Sequence, residues 1–114
     1  MYPSLQSAPI VATAVAGTGA VTILAASGLN FRYRDVVGIT VTTANAAAGT
    51  LTFNDGNKNV LVVNYPNAAS APSAPLDLDF DPPLQQSGNG NAAWTVTASA
   101  NASGYNVQVQ YVER

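Results

Sequence analysis

Hydrophobic and polar residues alternate most strictly towards the C-terminal end of the chain. Trp94, Val96 and Ala98 fall on one phase, and Thr95, Thr97 and Ser99 on the other. Tyr105, Val107, Val109 and Tyr111 likewise oppose Asn106, Gln108 and Gln110. Strict period two marks strands with one buried and one wet face. These two strands, 93–100 and 105–112, are joined by the turn sequence NASG. Further β-like runs occupy 21–26, 31–43, 50–54, 58–64 and 76–80, of which 31–43 is the longest. Asp55-Gly56 lies between two of them and signals a tight hairpin, because both turn positions tolerate positive φ. The prolines of YPNAASAPSAP (65–75) keep that segment out of a central strand, and DPPLQQSGNGN (81–91) reads as a second long loop. No segment combines helical periodicity with caps. The pattern predicts an all-β chain, a single antiparallel β-sandwich over 21–114 of about seven strands, jelly-roll or immunoglobulin-like. Residues 1–20 read as an extended N-terminal arm with one short strand near 10–14.

Three stretches depart from simple alternation. Asn59–Tyr65 (NVLVVNY) is apolar on both phases, with Val60 and Val62 facing one way and Leu61, Val63 and Tyr65 the other. In so short a chain few elements exist to cover a second face, so Leu61, Val63 and Tyr65 are candidate partner contacts. The arm either frays or lies on a neighbouring molecule, where Tyr2, Leu5, Ile10 and Val11 would be buried. In FRYRDVVGITVTT (31–43), Phe31, Tyr33, Val37, Ile39 and Val41 share the core phase, and Arg32 and Arg34 the outer one. Asp35 also falls in the core phase, where an unpaired carboxylate is costly, so a β-bulge near Asp35-Val36 is expected. Arg32 and Arg34 either pair with Asp77 or Asp79 across the sheet or reach an acidic patch on a neighbouring subunit.

Composition narrows the function classes. Charged residues make up 9% of the chain, against about 25% in ordinary soluble domains. A surface so poor in charge suits a molecule covered by partners. The net charge is −2 with no basic tract, which argues against nucleic-acid binding. Neither Cys nor His occurs, so disulfides, thiolate zinc sites and Ser-His or Cys-His catalysis are excluded. The uncharged run 8–26 is broken by Pro9, Gly17 and Gly19 and lacks a positive flank, which disfavours a signal peptide or membrane span. Asp77, Asp79 and Asp81 share one face of a strand and are a weak candidate metal site, but a solvated outer face explains the same spacing. Trp94 is either the main core aromatic or a sugar-stacking platform with Tyr105 or Tyr111. No phosphate loop, nucleotide fingerprint or nucleophile elbow appears, so no cofactor and no enzymatic activity are expected.

The order of features, VTILAASGLNFRYRDVVGITVT, GTLTFNDGNKNVLV, LDLDF, a DPPL loop and a closing VQVQYVE, resembles small β-sandwich virion proteins of tailed bacteriophages, the head decoration or cement proteins. That resemblance covers roughly residues 20–114. It implies a structural protein on the capsid surface of a virion, usually a homotrimer, whose partner is the major capsid protein. The alternative is a receptor- or carbohydrate-binding module of a phage tail, spike or adhesin.

Overall fold

Alternation becomes two four-stranded antiparallel sheets in the computed structural model, which describes residues 9–43, 49–65, 76–88, 90–99 and 102–114. The strands are β1 (Ile10–Gly17), β2 (Val21–Leu24), β3 (Arg34–Thr43), β4 (Gly49–Asn54), β5 (Asn59–Tyr65), β6 (Leu76–Leu84), β7 (Trp94–Ala98) and β8 (Ala102–Glu113). One sheet has the order β1-β8-β3-β6 and the other β2-β7-β4-β5. The pairs β1–β8, β2–β7, β3–β6 and β4–β5 are nested. The chain is therefore one long hairpin, tipped by the β4–β5 turn and rolled so that its arms alternate between two layers. This is the jelly-roll form of the sandwich rather than the immunoglobulin form.

The core is built from the inward phases. Leu51 and Phe53 on β4 stand beside Ala98 and Val96 on β7, and they share one cluster with Trp94 and, from the other sheet, Ile39, Val107 and Val109; all are buried. Thr95 and Thr97 alternate with these residues and are only half-buried.

Several boundaries differ from the sequence reading. Among the described residues there are eight strands, because Ile10–Gly17 is a full edge strand paired with β8, so the arm expected over 1–20 contains sheet structure; residues 1–8 lie outside the described residues. β6 runs on through Pro82 and Pro83, which an edge strand tolerates because its outer N–H groups need no partner. β3 starts at Arg34, not Phe31. Phe31 is 72% exposed, because a turn precedes the strand and ends the alternation there. The bulge falls one residue later than expected, between Val36 and Gly38, and both Val36 and Val37 are buried. Val37 packs with Val112 in a small second cluster.

A candidate docking end

Three connections meet at one end of the roll: 25–33 between β2 and β3, 55–58 between β4 and β5, and 85–93 between β6 and β7. Their sequences are rich in Ser, Asn, Gly and Gln, which turns favour because short side chains bond to nearby backbone. The structure turns these into a closed polar network around three buried groups, Asp35, Asp55 and Gln86.

Asp35 is fully buried, and Arg114 resolves its out-of-phase placement. The Arg114 Nε donates to Asp35 Oδ2 at 2.8 Å and Nη2 to Oδ1 at 3.3 Å. The Gln86 backbone N–H donates to Oδ1 at 2.9 Å. The Arg114 guanidinium also lies over the Tyr33 ring, 4.3 Å from its centroid. Such bidentate, charge-assisted bonds offset the cost of burying a carboxylate.

Asp55 anchors the hairpin turn the sequence predicted. Its Oδ1 accepts the N–H groups of Asn57 and Lys58 at 2.8 and 2.9 Å. Its Oδ2 accepts the Ser87 N–H at 2.8 Å and hydroxyl at 2.6 Å. Burial pushes the Asp55 carboxyl up, but the Ser87, Lys58 and Asn57 bonds together outweigh it and hold the group below its ordinary value of 3.8. Gly56 has φ +96° and an added Cβ would collide with Ala92, so a side chain there meets both backbone strain and the neighbouring loop.

Gln86 ties the layers together. Its Oε1 accepts the Arg34 N–H at 3.1 Å, and its Nε2 donates to the carbonyls of Asp55 and Ala92, each at 2.8 Å. The Trp94 indole N–H donates to the Arg34 carbonyl at 2.9 Å, which joins the second sheet to the first. Trp94 is thus the core aromatic, and its buried ring is closed to stacking by a ligand.

Upon this base sits the 27–32 loop. The Ser27 hydroxyl bonds the carbonyls of Leu29 and Arg32 at 3.0 and 2.7 Å. The Arg32 N–H donates to the Leu29 carbonyl at 3.1 Å. The Gly28 N–H reaches Asn91 Oδ1 at 2.9 Å, and the Gly90 N–H reaches the Asn30 carbonyl at 3.2 Å. Gly90 is required there, because an added Cβ would collide with the Arg32 carbonyl. The product is a braced turn whose large side chains, Leu29 (45% exposed) and Phe31, point outward beside the exposed Arg32. Among the described residues Arg32 makes no ion pair.

The two arginines of the sequence reading therefore part company. Arg34 stays within the molecule. Its Nη1 donates to the Ala25 carbonyl at 2.8 Å, Nε lies 3.8 Å from Glu113 Oε2, and the guanidinium rests over Tyr111. Neither arginine pairs with Asp77 or Asp79. Asp77 instead accepts the Thr40 hydroxyl at 2.7 Å across the sheet. Asp77, Asp79 and Asp81 are all exposed, and among the described residues no set of three or more acidic side chains converges on a metal position.

The other candidate contacts divide by strand phase. Val11, Leu61 and Val63 turn inward and pack half-buried against the core, so the apolar surface that β1 and β5 offer is Ile10 and Val62, 62% and 59% exposed. Tyr2 and Leu5 lie outside the described residues. Alternation assigned Phe31 to the core, where the structure exposes it, and Leu29 was not singled out. Their signal was an apolar pair inside a Ser-Gly-Asn turn, which period-two counting absorbs into the following strand.

No family model matches the sequence. No curated protein matches it either. Among solved structures, the chain is similar to one in the cyanophage Pam1 capsid asymmetric unit, at 22% identity over 90% of this chain and 81% of that one, with a TM-score of 0.46. It is similar to the virus-like particle protein of extra small virus from the giant freshwater prawn Macrobrachium rosenbergii, at 14% identity over 94% and 79%, TM-score 0.43. It is also similar to part of the capsular polysaccharide assembling protein CapF of Staphylococcus aureus, at 7% identity over 90% of this chain and 24% of that one, TM-score 0.39.

Proposed function

We propose that this protein is a structural component of a virion, a decoration or cement protein that binds the major capsid protein on the outside of a phage head. The observation that carries a docking role is the braced turn bearing Leu29, Phe31 and Arg32. An exposed Phe beside an Arg on a pre-ordered turn has the make-up of an interface hot spot. Because the turn is already fixed, docking costs little ordering entropy. Apolar area buried there contributes about 25 cal/mol per Å², less the cost of association. Many copies on a symmetric shell multiply a contact that is weak singly.

Other features support the same reading. The jelly-roll is an architecture of viral capsid and lectin domains, which is an argument by analogy of fold alone. The sparse charge and the absence of His and Cys suit assembly rather than catalysis. The carbohydrate-binding alternative loses its proposed platform, since Trp94 is enclosed and its N–H is already bonded.

The test is sedimentation of purified protein with capsids assembled without it. Wild-type protein should co-sediment, and Phe31→Ser should remain in the supernatant while keeping its fold. Wild-type protein that does not sediment with such capsids would sink the proposal.

A further inference from the structure

The two sheets end in four edge strands, and three of them are defended. β6 carries Asp77, Asp79, Asp81, Pro82 and Pro83, and charge and proline both oppose further pairing. β2 is only four residues long. β1 lies against β2 where the two layers meet. β5 differs from all three. It is seven residues long, NVLVVNY, with no charge and no proline, and among the described residues no strand pairs with its outer side. Natural sheets seldom leave such an edge open, because its unpaired N–H and C=O groups are a template for another strand.

We infer that β5 pairs antiparallel with β5 of a second copy, about a two-fold axis at Val62, joining two four-stranded sheets into one of eight. The occupant follows from the strand's own pattern. Centred on Val62, the pairing sets Leu61 opposite Val63 of the second copy, and Val60 opposite its Asn64. Leu61 and Val63 are the inward residues, partnered within the sheet by the buried Phe53 and Leu51. The core layers of the two copies therefore continue across the contact. A shift of one residue would set inward against outward side chains, and a shift of two would leave strand ends unpaired. The Val62 centre keeps the Val60–Asn64 runs of the two copies in register, and the irregularity that sets Asn59 beside Asn54 takes Asn59 out of the repeat.

The surrounding face permits the same closure. The outward residues of this sheet are Thr22, Thr95, Thr97, Thr50, Thr52 and Asn54, followed on β5 by Val62 and Asn64. None is charged, so two copies meet edge to edge without like-charge repulsion. Val62, 59% exposed in one copy, would be covered by its equivalent.

The chain contains no cysteine, which makes the contact directly readable. Val62→Cys places two thiols opposite each other across the axis, at a cross-strand Cβ separation of roughly 5 Å. Mild oxidation should convert it to a disulfide-linked dimer much faster than Asn64→Cys, whose thiols would lie on separate rungs. Native mass spectrometry of the wild type should give two copies or an even multiple, and Val62→Lys should weaken that association roughly tenfold or more while its circular dichroism stays unchanged. A monomer, or the trimer implied by the sequence resemblance with no even-numbered species, would overturn the inference. So would an even-numbered assembly that survives Val62→Lys and crosslinks no faster through residue 62 than through residue 64. None of these readouts depends on capsid binding, so this contact and the docking role stand or fall separately.

Discussion

Asp35 and Asp55 at the loop end, and Asp77 and Asp79 on the outer face of β6, are the same side chain put to opposite use. The first two are fully buried, and between them they accept bonds from Arg114, Gln86, Ser87, Asn57 and Lys58. The second two are exposed; Asp77 is held by the Thr40 hydroxyl, and Asp79 stands opposite Gly38. Charge inside the molecule locks three loops and two sheets into one geometry. Charge on β6 guards an edge. The lesson concerns rigidity: a chain with only ten charged residues places two acids where they fix the platform beneath Leu29 and Phe31.

Arg114 is the residue whose loss should cost the fold most. Arg114→Ala would leave the enclosed Asp35 carboxylate without its counter-charge, and should cost about 3 kcal/mol of unfolding free energy, read by urea denaturation. A loss below about 1 kcal/mol would mean that Asp35 is held well enough by its remaining bonds.

Asp55 should show the next largest effect, and a pH dependence. Its carboxyl titrates below 3.8 in the fold, so the folded state takes up the proton less readily than the unfolded chain. Its stabilisation is complete above that ordinary value and disappears as pH falls through the lower folded value. Asp55→Asn should cost about 1–2 kcal/mol at neutral pH. The Tm of the variant should also fall less steeply than that of the wild type on acidification below about pH 4. Parallel acid profiles for the two proteins would contradict the assignment.

On β6 the expectation reverses. Asp77→Asn with Asp79→Asn should change unfolding free energy by less than about 0.5 kcal/mol, since exposed polar pairs contribute little. Smallest of all should be Phe31→Ser, whose side chain is already in water; a Tm equal to the wild type would show that the fold does not need Phe31, and a clear fall in Tm would contradict its exposure.

Much of this was legible in the sequence, for identifiable reasons. Period two on Trp94–Ala98 and Tyr105–Val109 assigned buried and wet faces correctly, because both strands are central in their sheets and pair on both sides. Asp55-Gly56 marked the hairpin, since turn chemistry is local. Asp35 announced itself by falling in the wrong phase. Its solution did not, because Arg114 lies 79 positions away and comes to it only when β8 lies beside β3. The same limit hid Phe31, which alternation assigned to the core: nothing local says that a strand begins at Arg34 until the loop carrying Gly90 and Asn91 folds against residues 28–32. For β5, apolar residues on both phases marked a strand that departs from simple alternation. Which phase faces the core depended on its pairing with Leu51 and Phe53.

One sedimentation experiment with capsids that lack this protein sets the loop end and β6 side by side. Wild type and the Asp77→Asn, Asp79→Asn variant should pellet with the capsids, and Phe31→Ser, equally folded, should not. Equal pelleting of all three, or loss of pelleting only when the β6 acids are removed, would contradict the claim that the braced Leu29–Phe31 turn is the docking surface.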